Sequence, residues 1–209
     1  MKMRDIMARA PVIPVLTIER EADAVPLARA LCAGGLTVLE VTLRTEAALA
    51  AIASMRKALP EAIVGAGTLT RPEDFERVGA AGAQFAVTPG LTEELAVAGR
   101  HAGFPLLPGI ATASELLAAR ASGYSALKFF PAEPAGGTAM LKAFAPVFAD
   151  VIFCPTGGIT RESASRYLAL PNVSCVGGSW VTPSAAVRAG DWAQIEALAR
   201  DAAGLARHG

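Results

Sequence analysis

The feature that most constrains this chain is an alternation of short apolar runs, rich in β-branched residues, with longer segments of helical spacing. Between the runs, Leu49, Ile52 and Leu59 fall on one helical face, while Arg56 and Lys57 fall on another. This alternation is typical of βα units around a parallel sheet. About eight runs occur, at residues 12–18, 36–43, 62–67, 84–87, 105–107, 126–129, 151–154 and 173–176.

The number of units favours a closed (β/α)8 barrel, also called a TIM barrel, over an open doubly wound sheet, which stays as the alternative. The 209 residues lie near the lower end of what a complete barrel needs, and no linker interrupts them. We therefore expect residues 1–209 to form a single domain. A short N-terminal helix is expected before the barrel, and an extra C-terminal helix is expected after Asp191.

Local signals predict several helix ends. Thr70-x-x-Glu73 and Thr112-x-x-Glu115 have the capping-box pattern, in which side chains satisfy the first free N–H groups of a helix. Gly34-Gly35, Gly82 and Gly123 each follow a helical pattern and precede a strand. Glycine tolerates positive φ, so these residues are expected to end helices.

The charge balance argues against several classes of partner. Lysine plus arginine equals aspartate plus glutamate at 19 each, and no basic tract predicts a nucleic-acid surface. The apolar runs are too short to span a bilayer, and charges interrupt residues 1–10, which therefore do not resemble a secretory signal. We expect a cytoplasmic protein that binds a small molecule, without nucleic-acid or membrane partners.

Cysteine and histidine offer little material for a disulfide framework or a metal site. Cys32, Cys154 and Cys175 are odd in number and lack C-x-x-C spacing, so reduced thiols are expected. His101 and His208 are the only histidines, which disfavours histidine-based catalysis and a zinc site. We predict no metal and no cofactor.

Lys128 is the first candidate for a catalytic group, because functional groups of parallel barrels collect at the carboxyl ends of strands. It lies in an apolar strand that ends at Pro131, where its ammonium group would lose solvent. A nucleophilic amine at neutral pH requires its pKa of about 10.4 to fall by roughly three units, which burial favours. The alternative is a lysine whose ammonium group reaches solvent past a buried stem.

Glu40 and Arg44 lie at the end of the second apolar run. Glu40 shares strand parity with Val38 and Thr42 and should project to the same side. We interpret it either as a proton shuttle with a raised pKa or as half of a structural ion pair. Arg44 suits bidentate binding of a substrate carboxylate, and an ordinary surface arginine is its alternative.

Two glycine-rich turns, Pro155-Thr-Gly157-Gly158 and Gly177-Gly178-Ser179, close the last two strands. Backbone N–H groups in such turns, with a helix N-terminus behind them, form an anion site, and barrels commonly bind phosphate there. Simple tight turns are the alternative. Gly65-Ala-Gly-Thr68 and Val87-Thr-Pro89-Gly90 place small or polar residues at other strand ends, which is consistent with a pocket floor.

Four motifs resemble the 2-keto-3-deoxy-6-phosphogluconate (KDPG) aldolase family over nearly the whole chain: Leu39-Glu40-Val-Thr-Leu-Arg44, Gly65-Ala-Gly-Thr68, Lys128-Phe-Phe-Pro131-Ala-Glu and Pro155-Thr-Gly-Gly158. The family also includes 4-hydroxy-2-oxoglutarate and phosphogalactonate aldolases, so the resemblance leaves the subtype open. It implies that Lys128 forms a Schiff base with the substrate ketone and that Glu40 moves protons through a water. It also implies that Arg44 and Thr68 bind the substrate carboxylate.

The same resemblance implies a class I aldolase, a lyase that needs no metal, releases pyruvate and an aldehyde phosphate, and assembles as a homotrimer. A phosphosugar epimerase or isomerase on the same barrel stays as an alternative, disfavoured by the shortage of histidine. A non-catalytic phosphate-binding protein is a further alternative, in which Lys128 and Glu40 would form an ion pair. The resemblance further implies that Pro89 and Phe130 contact the pyruvyl portion of the substrate and that Thr156 contacts the sugar hydroxyls. It places Gly158, Gly178 and Ser179 around the phosphate, and Gly157 is a further implied substrate-binding residue.

Overall fold

The computed structural model describes residues 1–206, in which parallel strands alternate with helices; His208 lies outside the described residues. The strands are β1 Val12–Leu16, β2 Val38–Thr42, β3 Ile63–Gly67, β4 Ala86–Val87, β5 Leu106–Leu107, β6 Gly109–Ile110, β7 Ala126–Phe129, β8 Ile152–Pro155 and β9 Val176–Gly178. The helices are α1 Met3–Met7, α2 Glu21–Ala33, α3 Ala48–Ala58, α4 Glu73–Ala80, α5 Glu93–His101, α6 Ala113–Ala121, α7 Gly137–Phe144, α8 Arg161–Leu168, α9 Ser184–Ala189 and α10 Trp192–Ala203.

The strands pair in parallel and form two ladders. One sheet has the order β5-β4-β3-β2-β1-β9, and the other has the order β6-β7-β8. Pro108, which has no N–H to donate, separates β5 from β6. Isolated parallel bridges join Phe153 to Val173 and Thr156 to Gly177, so β8 approaches β9 without a regular ladder. The chain is therefore an α/β protein with a parallel sheet, as predicted.

Side chains alternate between two apolar layers along each strand. On β1, Val12 and Leu16 pack in the larger cluster with the helices, whereas Ile13 packs in a smaller cluster. Strands from both sheets contribute to the smaller cluster, so the sheet is curled around it. Its members from the strands and the residues beside them include Val38, Ile63, Phe85, Val87, Leu107, Ala126, Cys154 and Cys175.

Helix α1 closes one end of the curled sheet. Met3, Ile6 and Met7 are buried in the smaller cluster. Arg4 donates hydrogen bonds to the carbonyl groups of Ser125, at 3.0 Å, and Asp150, which lie just before β7 and β8. The end where the strands begin is thus covered with apolar side chains, and polar groups lie at the opposite, carboxyl end.

The structure confirms most predicted helix ends. Thr112 Oγ1 accepts from the N–H of Glu115 at 3.3 Å, and the Glu115 carboxylate accepts from the N–H of Thr112 at 2.8 Å. Asp191 caps α10 by accepting from the N–H of Gln194 at 3.0 Å. The short N-terminal helix is also present as α1. Glycines with positive φ follow helices, as predicted, at Gly35, Gly82 and Gly123.

Two local predictions were wrong. Thr70 does not form a capping box with Glu73, because the carboxylate of Asp74 accepts the N–H groups of Thr70 and Arg71 at 3.1 and 3.2 Å. The last strand is β9, not 173–176, because Val176 to Gly178 pair with β1 whereas Val173 makes an isolated bridge.

Cys32 and Cys154 carry free thiols, and burial, with the nearby Glu61 charge, raises the pKa of Cys32 to about 11. Cys32 is therefore protonated at neutral pH and a weak nucleophile.

Between residues 1 and 206, no helix combines the length and apolar character needed to cross a membrane.

Candidate active site

Lys128 and Glu40 meet inside the curled sheet. Each is the third residue of its strand, β7 and β2, and Lys128 Nζ lies 3.3 Å from Glu40 Oε1. Both residues are buried, with exposed fractions of 5% and 3%. Strands β2 and β7 are not neighbours in either sheet, so the contact crosses the interior. The alternative of a lysine that reaches solvent is therefore wrong.

The position of Lys128 is fixed from both its backbone and its side chain. Its N–H donates to the carbonyl oxygen of Pro108 at 2.8 Å, which ties β7 to the chain that links β5 and β6. Its ammonium group lies 5.2 Å from the centroid of the Phe130 ring, a cation–π distance. The half-buried Phe130 thus forms one wall beside the amine.

Glu40 occupies space that a neighbouring glycine leaves open. A Cβ atom at Gly67 on β3 would lie 2.1 Å from Glu40 Oε1 and 2.7 Å from its carboxyl carbon. Gly67 belongs to the sequence motif Gly65 to Thr68, but its contact with Glu40 was not predicted. The glycine allows the carboxylate to approach β3 closely and to contact Lys128.

Thr68, directly after Gly67, has an unusual backbone. Its φ of 65° lies in the left-handed region, which a β-branched residue rarely adopts. Such strained residues cost about 1–3 kcal/mol and cluster at functional sites. Nothing in the sequence signalled this conformation, although the resemblance had assigned Thr68 to substrate binding.

Two hydroxyl groups that the sequence analysis did not select lie near the carboxyl ends of β1 and β2. Thr42 is fully buried and donates to the carbonyl oxygen of Leu16 at 2.9 Å, and its hydroxyl lies 3.4 Å from that of Thr17. Thr42 shares the strand parity of Glu40, which was the available signal.

The turn that follows β8 lies beside strand β9, which contains Gly177 and Gly178 of the second predicted phosphate turn. Thr156 is buried, forms an isolated bridge with Gly177, and occupies the space of a side chain at that glycine, 2.2 Å from the Cβ position. Gly157 and Gly158 have φ of 104° and 78°. At Gly178 the indole ring of Trp180 fills the side-chain space, 1.9 Å from the Cβ position.

A cavity of about 620 Å³ opens beside Ser179, a size typical of sites for small organic ligands. Thr17 and Arg20 line it from the β1 side, and Arg188 lines it from α9. Arg20 is tied to Asp23 through two hydrogen bonds of 2.8 Å. The lining therefore combines hydroxyl and guanidinium groups with the carboxylates of Glu19 and Asp23, next to Ser179.

The structure does not bring every predicted residue into contact with the Lys128–Glu40 pair. Arg44 is exposed, and its guanidinium forms no hydrogen bond or ion pair with other residues in the range 1–206. Pro89 is half-buried, and its carbonyl group would lie 2.3 Å from a Cβ at Gly109. Among the described residues, no three His, Cys, Asp or Glu side chains cluster as metal ligands.

The buried pair supplies a primary amine and a carboxylate within reach of one small molecule. An amine that forms an imine with a ketone, beside a group that accepts a proton, supports carbon–carbon bond cleavage. A structural ion pair would have the same geometry, because buried charges also need partners. Comparison with known proteins identifies the family to which this chain belongs.

The sequence model of the KDPG and KHG aldolase family, where KHG stands for 4-hydroxy-2-oxoglutarate, matches residues 3–198. The chain therefore belongs to this family. The 2-dehydro-3-deoxy-phosphogluconate aldolase of Pseudoalteromonas atlantica is 52% identical over 199 residues, which cover 95% of this chain and 93% of that protein. The KHG/KDPG aldolase of Escherichia coli K12 is 51% identical over 197 residues, with 94% and 92% covered.

A solved structure agrees with this relationship. The KDPG aldolase from Legionella pneumophila, with pyruvate captured at low pH as a covalent carbinolamine intermediate, has a TM-score of 0.95 to this chain. The two chains are 48% identical, and the match covers 96% of this chain and 98% of the other.

We expect Gly67→Ala to destabilise the protein by about 1–3 kcal/mol, because the new Cβ would push the Glu40 carboxylate away from Lys128. Urea denaturation measures this change. Gly90→Ala is the matched control, since nothing lies within 4 Å of its Cβ position, and it should be neutral or slightly stabilising. Equal stabilities of the two variants would contradict the close approach of Glu40 to β3.

Proposed function

We propose that the chain is a Schiff-base aldolase that cleaves 2-dehydro-3-deoxy-6-phosphogluconate to pyruvate and glyceraldehyde 3-phosphate. A second substrate is 4-hydroxy-2-oxoglutarate, which gives pyruvate and glyoxylate. The observation that carries the proposal is the buried 3.3 Å contact of Lys128 Nζ with Glu40 Oε1, in a chain of this aldolase family. The names of the relatives from P. atlantica and E. coli support the substrates.

The reaction begins when the Lys128 amine adds to the C2 ketone of the substrate and gives a carbinolamine. Loss of water leaves a protonated imine, which is an electron sink. The C3–C4 bond then breaks, its electrons form an enamine, and Glu40 accepts the proton of the C4 hydroxyl group as that carbon becomes an aldehyde. Glu40 then gives its proton to C3 of the enamine, directly or through a water, and hydrolysis of the resulting imine releases pyruvate and restores the amine. The carbinolamine in the L. pneumophila relative supports the first step.

The surroundings of Lys128 suit these charge changes. The amine is buried, so its interactions with Glu40 are stronger than they would be at the surface. The Phe130 ring, 5.2 Å from Nζ, favours the positive charge of the imine. As the amine becomes an imine, Glu40 stays close enough to exchange protons, directly or through a water.

The ends of the substrate bind to separate groups in this proposal. Arg44 and Thr68 hold the carboxylate, which the unpaired guanidinium of Arg44 supports. Pro89 and Phe130 contact the pyruvyl portion, and Thr156 contacts the sugar hydroxyls. The phosphate binds to backbone N–H groups and a hydroxyl at Gly157, Gly158, Gly178 and Ser179, which the bridge from Thr156 to Gly177 of β9 supports.

The proposal extends to the closed barrel and to assembly. Pro108 is the single residue between β5 and β6, and the bridge of Thr156 to Gly177 connects β8 with β9. Both contacts support one closed (β/α)8 barrel.

The proposal of a homotrimer rests on family resemblance and is tested by light scattering. Location in the cytoplasm is supported by the free thiols of Cys32 and Cys154.

Borohydride with pyruvate should inactivate the enzyme, because it reduces the imine on Lys128 to a stable amine. Peptide mass mapping should find the pyruvyl adduct on Lys128. The exposed Lys142 on α7 provides a matched control, so Lys142→Arg should still be trapped and Lys128→Arg should not. An intact, active enzyme without an adduct at Lys128 would disprove the mechanism.

Glu40→Gln should lower turnover by about a hundredfold or more, because the amide cannot accept the proton of the C4 hydroxyl group. Steady-state pyruvate release measures turnover, and circular dichroism checks the fold. Glu76→Gln, on the exposed face of α4, serves as the control and should keep normal turnover. Near-normal turnover in folded Glu40→Gln would make Glu40 a structural partner of Lys128.

Ser179→Asp should place a carboxylate where the phosphate binds. We expect kcat/KM for the phosphorylated substrate to fall roughly 30-fold, or about 2 kcal/mol, relative to kcat/KM for 4-hydroxy-2-oxoglutarate. Ser179→Asn adds similar bulk without charge and should change the ratio much less. Position 179 is chosen because Trp180 fills the side-chain space at Gly178. An unchanged ratio in Ser179→Asp would remove this turn from the phosphate site.

A further inference from the structure

One buried hydroxyl group has no role in the reaction above. Tyr167, near the end of α8, has 0% of its surface exposed, and its hydroxyl donates to Glu133 Oε1 at 2.8 Å. Glu133 lies four residues after β7, in an exposed turn. A buried donor that reaches out to an exposed carboxylate restrains the backbone that carries this carboxylate.

The backbone beside Glu133 holds the turn after β8. The N–H of Glu133 donates to the carbonyl oxygen of Gly157 at 3.1 Å, and the N–H of Ala132 donates to that of Thr156 at 2.8 Å. Gly158 also packs against Glu133, since a Cβ at Gly158 would lie 2.9 Å from the Cβ of Glu133. The position of Glu133 therefore determines the position of the turn.

The turn needs such external support. Gly157 and Gly158 are consecutive glycines with φ of 104° and 78°, and glycine has more backbone conformations to lose than other residues. A flexible glycine pair would point its N–H groups in many directions. Hydrogen bonds from the 132–133 segment select one of these arrangements.

Tyr167 is suited to a permanent anchoring role. Burial, followed by the hydrogen bond to Glu133, raises the pKa of its hydroxyl above the usual value near 10. The hydroxyl thus stays protonated and remains a donor at physiological pH. Gly137, the first residue of α7, leaves the room it needs, since its Cβ position lies 3.2 Å from the Tyr167 oxygen.

We propose that Tyr167 and Glu133 are positioning residues, which hold the Gly157–Gly158 turn in the shape that binds the phosphate group of the substrate. The proposal rests on the proposed function, and it adds residues that act through the turn without touching the reacting atoms. The Tyr167–Glu133 hydrogen bond shares no residue with the Lys128–Glu40 contact. Loss of the contact therefore affects binding of the phosphorylated substrate and spares the unphosphorylated one.

Tyr167→Phe tests the proposal, because it removes the hydroxyl and keeps the ring. The kinetics of pyruvate release are measured with 2-dehydro-3-deoxy-6-phosphogluconate and with 4-hydroxy-2-oxoglutarate. KM for the phosphorylated substrate should rise about tenfold, with a smaller change in kcat. Both constants for 4-hydroxy-2-oxoglutarate should stay within about twofold of wild type.

Variants of the exposed partner separate positioning from a general loss of stability. Glu133→Gln keeps an oxygen that accepts from Tyr167 and should behave almost as wild type. Glu133→Ala removes the acceptor and should match Tyr167→Phe. If the two side chains act as one unit, the double variant Tyr167→Phe/Glu133→Ala should raise KM for the phosphorylated substrate no further than the single variant with the larger effect.

Tyr124→Phe is the matched control, since Tyr124 is the other tyrosine of the chain and its hydroxyl donates to the carbonyl oxygen of Ala96 at 3.3 Å. It should leave the ratio of kcat/KM for the two substrates unchanged. The proposal is overturned if Tyr167→Phe and Glu133→Ala leave this ratio unchanged, whether kcat/KM is normal for both substrates or falls equally for both. Wild-type protein that releases pyruvate from neither substrate overturns the proposed function, and the positioning role with it.

Discussion

The contact between Lys128 and Glu40 sets requirements that the rest of the interior meets. Charged groups removed from water cost several kcal/mol each unless they are paired at close range. Gly67 supplies the space for the carboxylate, and the carbonyl group of Pro108 fixes the backbone of Lys128. Helix α1 covers the opposite end of the curled sheet with apolar side chains, so the polar groups have one side on which to face a ligand.

Local pattern predicted those parts of the fold that depend on neighbouring residues. The run at 126–129 coincides with β7, because strands buried on both faces are rich in apolar residues, and Lys128 is the single charged residue of this strand. Strand parity also placed Glu40 on the interior side. Strand β9 was missed in part, because Gly177 and Gly178 have no side chains that indicate a strand, although Thr156 and Trp180 require glycine there.

The rest of the site depends on contacts between distant parts of the chain. Glu40 and Lys128 are 88 residues apart, and strand parity specifies a face of the sheet but not the partner across the interior. The contact of Tyr167 with Glu133 likewise requires the packing of α8 against the turn after β7. At Thr70 the sequence has the capping-box pattern, but the Asp74 carboxylate, and not that of Glu73, accepts the N–H of Thr70.

The left-handed backbone of Thr68 has a consequence for engineering this protein. Glycine adopts this conformation without strain, so a search for stabilising substitutions would rank position 68 highly. In the proposed function Thr68 binds the substrate carboxylate, so Thr68→Gly would remove the hydroxyl that makes this contact. Natural proteins need only enough stability to function, so a strained threonine can persist where a more stable glycine would make a poorer catalyst.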